Sequence, residues 1–125
     1  MAFVEVARTE IVVATVVAPV APAPKGAIAE VRFWNPATGT YQTSGPTILL
    51  GERAGVSVYG KNTGIARQNM YMAIRRTAPD GSQVESSTTT QVLEPGAGGI
   101  FELQWVCEQV GSYKGLLFLL GEVIA

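Results

Sequence analysis

The side chains that most often carry out enzyme chemistry are scarce in this sequence. It contains no histidine and a single cysteine, Cys107. Without histidine, Ser–His–Asp triads, Cys–His pairs and histidine-bearing zinc or copper sites cannot form. A thiolate enzyme would need an activating base beside Cys107, but the neighbours Trp105 and Val106 indicate a strand interior and a buried, inert thiol. A lone cysteine also excludes an internal disulfide.

The carboxylates and the glycine-rich segment have ordinary structural explanations. Asp80 is the only aspartate, so no aspartate-rich calcium loop is present. Glu52 and Glu94 each stand near a turn glycine, where a solvated carboxylate is much commoner than a catalytic pair. The segment Gly96–Gly99 leads into a predicted strand, whereas a phosphate-binding loop leads into a helix. The sequence therefore predicts a non-enzymatic chain with no catalytic, cofactor-binding or metal-binding residues.

Charge and hydropathy also narrow the range of partners. The formal net charge is −1, and the adjacent pair Arg75 and Arg76 would point to opposite faces of a strand. We therefore expect no nucleic-acid partner. The apolar run 11–20 is too short to span a bilayer, and the acidic Glu5 and Glu10 precede it in place of a positive leader region. We expect neither a signal peptide nor membrane insertion.

The chain divides into three segments. Residues 1–17 are rich in Val, Ile, Thr and Phe, which favour a β arm. Residues 18–27 form a Pro/Ala spacer, whose nine residues 18–26 would reach about 28 Å at the polyproline rise of ~3.1 Å per residue. Residues 28–125 form the main domain.

Short strands separated by turn residues fill this domain. The predicted strands are Ile28–Trp34, Thr40–Thr43, Ile48–Leu50, Gly55–Lys61, Arg67–Thr77, Gln83–Leu93, Gly99–Cys107 and Tyr113–Ile124. A turn about every ten residues is typical of a sandwich or barrel. We therefore predict an all-β, immunoglobulin-like antiparallel two-sheet sandwich of about seven strands with an extended N-terminal arm. Its predicted core residues are Val56, Val58, Met72, Ile74, Leu103 and Trp105. The polar stretch in 83–93 predicts an edge or solvent-facing strand.

The last predicted strand is apolar on both faces between Leu116 and Leu120. A sandwich strand normally has a solvated outer face, so we expect this one to be covered by the chain's own arm, a neighbour's arm or a partner protein. The arm Phe3–Val17 is predicted to pair outside its own body, on a neighbouring copy; the alternative is that it folds back as an additional strand. The candidate assembly surface comprises Phe3, Val4, Val6, Ile11, Val13, Leu116, Phe118 and Leu120.

A series of turn and core motifs runs through the C-terminal three-fifths of the chain: Gly51-Glu52, Asn62-Thr63-Gly64, Leu93-Glu94-Pro95-Gly96, Phe101 to Trp105 and Gly111-Ser112-Tyr113. In this order the motifs resemble immunoglobulin-like modules of the CARDB kind, a cell-adhesion-related domain, over residues 51–124. The resemblance implies the sandwich fold and a place in surface or secreted proteins.

Two function classes remain. The apolar fraction is 47% and the charged fraction 15%, against a usual ~25% charged, which fits a chain buried in an assembly or a well-packed sandwich. We therefore expect a structural assembly protein, an accessory or decoration component of a virion or other large particle. It would bind copies of itself or that particle, and act in a virion or intracellular assembly. The alternative is a cell-surface adhesion or carbohydrate-associated module with an aromatic platform formed by Trp34, Tyr41, Tyr59 and Tyr71.

Overall fold

The computed structural model describes residues 2–16 and 22–124. Within these ranges there is no helix, and eight strands form two antiparallel sheets. The strands are β1 (Gly26–Asn35), β2 (Thr40–Gln42), β3 (Arg53–Asn62), β4 (Gln68–Thr77), β5 (Gln83–Ser87), β6 (Gln91–Leu93), β7 (Gly98–Val106) and β8 (Lys114–Val123). The predicted all-β, immunoglobulin-like sandwich is confirmed.

The first sheet has the strand order β2-β1-β3-β7. The hairpin between β1 and β2 closes at Asn35, whose carbonyl accepts a hydrogen bond from the Gly39 amide at 2.8 Å. Gly39 has a φ of 68°, a left-handed conformation that glycine adopts without a steric penalty. This turn at 35–39 falls between the predicted strands Ile28–Trp34 and Thr40–Thr43.

The second sheet is built around β4. Strand β8 pairs with β4 along its whole length, from Gln68↔Val123 to Thr77↔Lys114. Strands β5 and β6 pair with different halves of β4, so they must share its opposite edge. The second edge of β8 pairs with no strand among the described residues.

Two strand predictions need correction. Residues 83–93 form two strands because the Thr88 hydroxyl accepts the Met72 amide hydrogen bond at 3.0 Å, in place of a backbone carbonyl. The predicted strand Ile48–Leu50 is not a strand: it is irregular and runs into a turn over residues 49–52. There the Glu52 amide donates to the Leu49 carbonyl at 3.1 Å, and Gly51 has a φ of 87°, which a continuous strand does not allow.

The core lies between the sheets. The buried cluster contains Val56, Val58, Met70, Met72, Ile74, Leu93 and Phe101. Four of the six predicted core residues are in this cluster. Leu103 and Trp105 are the exceptions: they pack against it but remain partly exposed, and Trp105 lines a cleft that opens between the sheets.

A buried polar network closes the other end. Asn62 Nδ2 donates to the carbonyls of Ala66 at 2.9 Å and Leu93 at 2.8 Å. Gln68 Nε2 donates to Asn62 Oδ1 and, at 2.7 Å, to the Lys25 carbonyl immediately before β1. These bonds fix where the chain enters the sandwich, which begins at Gly26 rather than at residue 28.

The N-terminal arm has no partner within the described part of the same chain. Residues 2–16 form no strand, and all of them are exposed. The predicted β arm stays a prediction, because its strand would form only by pairing with a partner outside the chain's own sandwich. Residue 17 and residues 18–21 of the predicted spacer lie outside the described residues. No helix in the described ranges is long and apolar enough to cross a membrane.

Candidate protein-binding surface

The register between β4 and β8 assembles an apolar surface on the outside of the second sheet. On this outer face Leu116 lies opposite Arg75, Phe118 opposite Ala73, and Leu120 opposite Tyr71. Since side chains alternate along a strand, the intervening Leu117 and Leu119 point inward, and both pack against the core. We call Leu116, Phe118 and Leu120 the β8 row.

Among the residues that the structure describes, the β8 row is partly exposed at its centre and open at both ends. Leu116 is 55% exposed and Leu120 38% exposed. Phe118 is half-buried because the Arg75 guanidinium lies over its ring, with Cζ 5.5 Å from the ring centroid. The small side chain of Ala73 leaves a depression of about 310 Å³ between its larger neighbours.

Charged and polar groups border the depression on the β5 side. Arg75 Nη2 lies 3.6 Å from Glu85 Oε2, and Ser86 and Ser87 complete this margin. Both charged side chains are about half exposed, so the ion pair contributes about 0–1 kcal/mol to stability. The ion pair matters here for its position at the margin of the apolar row. An apolar centre with a polar rim is the usual arrangement of a protein–protein interface.

A second apolar feature opens beside β8. A cleft of about 650 Å³ lies between the two sheets. Val31 and Phe33 of β1, Ile74 of β4, Trp105 of β7 and Leu117 of β8 line its apolar walls. The cleft reaches the inward-facing side of β8 at Leu117. It therefore lies beside the edge of β8 that pairs with no described strand.

The predicted assembly residues fall into two groups that one chain does not bring together. Leu116, Phe118 and Leu120 form one continuous row. Five arm residues are 73–105% exposed, away from the β8 row: Phe3, Val4, Val6, Ile11 and Val13.

Sequence reasoning missed the β4 side of the surface. Tyr71, Ala73 and Arg75 alternate with the core residues Met72 and Ile74, so their outward direction was readable from the sequence. Their contact with β8 was not readable, because nothing local shows that β4 and the last strand are neighbours.

The candidate groups for chemistry remain dispersed. The Cys107 thiol is buried, and this burial raises its pKa. Hydrogen bonds from Ser82 lower the pKa of the exposed Asp80 carboxyl. Over residues 2–16 and 22–124, no three Cys, Asp or Glu side chains cluster in a way that could hold a metal ion.

The four aromatic residues of the alternative hypothesis do not form a platform. Trp34 and Tyr41 pack edge to face on the first sheet, with ring centroids 5.2 Å apart. Tyr59 lies further along β3, and Tyr71 is on the second sheet.

Fold and surface together define an immunoglobulin-like β-sandwich that leaves an apolar sheet face uncovered. No known protein family matches the chain, and no curated protein sequence matches it.

Proposed function

We propose that this chain is a non-enzymatic assembly protein that acts through protein–protein contacts. The observation that carries the proposal is the uncovered β8 row, Leu116, Phe118 and Leu120, on the outer face of the second sheet. An apolar patch bordered by polar groups marks an interaction site more often than it marks bare surface.

The surroundings of the β8 row support a macromolecular partner. The depression over Ala73 shares Phe118 and Leu120 with the row, and Arg75 and the polar residues of β5 border it. An extended partner surface can cover such a face, whereas a small molecule would be poorly enclosed. The exposed apolar residues of the arm provide a second surface for contact with a partner.

We further propose that the assembly is a large particle, with this chain as an accessory or decoration component of a virion or a comparable structure. A folded body joined to a long exposed arm suits attachment at two points. The adhesion alternative depends on the CARDB resemblance alone, since the aromatic side chains suggested for it are dispersed.

Self-association tests the proposal directly. The double variant Leu116→Lys/Leu120→Lys places two charges on the β8 row while leaving the inward-facing side chains unchanged. We expect its self-association in sedimentation velocity to weaken by about tenfold or more, equivalent to at least ~1.4 kcal/mol.

The matched control is Ile65→Lys/Ile100→Lys. Both positions are also exposed, at 77% and 51%, but lie outside the second sheet. The two double variants add the same charge, so any difference in their self-association measures the contribution of the β8 row. If both double variants behave alike, the β8 row is not the interface and this function is wrong. A chain that is monomeric at every concentration would overturn self-association and leave only the particle as the partner.

A further inference from the structure

We propose that the arm segment 11–16 of a second copy adds as a strand to the free edge of β8. The proposal rests on the assembly function and names its partner: another copy of this chain, docked through its N-terminal arm. It also specifies which backbone edge and which apolar surfaces receive the arm.

The first argument is the unpaired edge itself. β8 is ten residues long, and all its described pairing is with β4. Its second edge presents a row of backbone N–H and C=O groups, which is a template for an incoming strand. A segment of six residues fits within that length.

The second argument is the pattern of the incoming segment. Ile11, Val13 and Thr15 would face one side of a strand, and Val12, Ala14 and Val16 the other, so each face carries at least two apolar side chains. A strand that is apolar on both faces needs two apolar environments. The β8 edge offers both: the cleft beside Leu117 on the inner side, and the β8 row on the outer side.

The other sheet edges fit such a strand less well. On the solvent face of β7 the polar residues Glu102 and Gln104 separate the apolar Ile100 from Val106, and β5 presents Gln83 and Glu85. On β1 the solvent face carries an ion pair between Arg32 Nε and Glu30 Oε1 at 2.7 Å. Among the strands in the described part of the chain, β8 alone combines a free edge, an apolar inner face and three successive apolar residues on its outer face, Leu116, Phe118 and Leu120.

The third argument is availability. Val12 and Val16 are 86% and 92% exposed, and no described residue pairs with the arm of the same chain. Each copy therefore holds one donor segment and one acceptor edge. Two copies can exchange arms reciprocally in a closed dimer; if each arm instead reaches a further copy, the assembly closes into a ring or continues as a filament, depending on the rotation between copies.

Prolines in the arm test the proposal without altering the body. In Val12→Pro/Val13→Pro, two adjacent residues lose their backbone donors, so one of the lost donors would have faced the partner in either register. We expect self-association to weaken by about tenfold or more. The matched control Ala2→Pro/Ala7→Pro places two prolines in the same arm, outside both the segment 11–16 and the candidate assembly surface, and should associate normally.

Amide hydrogen exchange identifies the docking edge. In the associated state, every second amide of Lys114–Val123 should gain protection, because only alternate residues face the free edge. The proline variant should lose that protection. Docking on the β8 row through side chains alone would leave these amides unchanged.

Three outcomes overturn the inference. If Leu116→Lys/Leu120→Lys abolishes association while Val12→Pro/Val13→Pro does not, the assembly function stands and the arm is not its partner. If the chain is monomeric and the β8 amides are protected only with an intact segment, the arm occupies its own edge. If the chain self-associates and β8 amides gain no protection, the arm docks elsewhere.

Discussion

The guanidinium of Arg76 lies over the indole ring of Trp105, with Cζ 4.7 Å from the ring centroid. Arg76 belongs to β4 and Trp105 to β7, so the stack joins the two sheets beside the cleft. Arg76 Nε and Trp105 Nε1 are buried and have no hydrogen-bond partner in the part of the chain that the structure describes. The contact therefore depends on stacking rather than on hydrogen bonds.

Trp105→Ala should lower the free energy of unfolding by about 2–3 kcal/mol, less than the 3–5 kcal/mol typical of a fully buried aromatic side chain. The reason is that Trp105 keeps part of its surface in the open cleft. Urea denaturation measures this loss, with Trp105→Phe as the conservative control. A loss below about 1 kcal/mol would place the indole outside the packed structure.

The stack itself should be measurable by a double-mutant cycle. Combining Arg76→Met with Trp105→Leu should give a coupling free energy of about 0.5–2 kcal/mol, the range for a partly desolvated cation–π contact. The same cycle with Arg75→Met provides a control, because Arg75 lies over Phe118 on the opposite face. Equal couplings for the two arginines would contradict a specific Arg76–Trp105 interaction.

Asn62→Ala should destabilise the fold by about 3 kcal/mol, since it leaves several buried groups unpaired at 1–3 kcal/mol each. The affected partners include the Leu93 carbonyl and Gln68 Nε2. Asn35→Ala is the matched control, because the Asn35 Nδ2 hydrogen bond to Gln42 Oε1 is only part-buried. Chemical denaturation should show a loss below about 1 kcal/mol there.

The Cys107 thiol should react with a disulfide reagent at pH 8 only as fast as the surrounding structure opens. Burial raises its folded pKa above the ordinary value of 9.0. The protonated thiol therefore contributes stability that is fully present below the unfolded pKa and is lost as pH rises through the folded pKa. Rapid labelling of the native protein, matching the rate in denaturant, would show that the thiol is accessible.

The chain should carry no stoichiometric zinc or copper after purification without added metal. The absence of histidine is the reason, together with a single buried cysteine. Elemental analysis of the purified protein measures this directly. One equivalent of either metal per chain would refute the prediction.

The strands and turns of the body were largely legible from local sequence. Alternation places Val56 and Val58 on the inner face of β3, and the asparagine and glycine of 35–39 mark the first hairpin. Ile48–Leu50 was misread because its apolar composition favours a strand, whereas the left-handed backbone at Gly51 produces a turn. The break at Thr88 was missed because it depends on a hydroxyl reaching a different strand.

The candidate site likewise has features that local sequence determines and features that depend on tertiary structure. The sequence by itself determined that Leu116, Phe118 and Leu120 share one face, because side-chain direction follows from the period of two along a strand. Only the tertiary structure decided that Tyr71, Ala73 and Arg75 complete that face, that β8 has an open edge, and that a cleft lies behind it. Those features depend on which strands pair across long separations in the chain, and pairing is selected by the packing of the whole core rather than by any local preference.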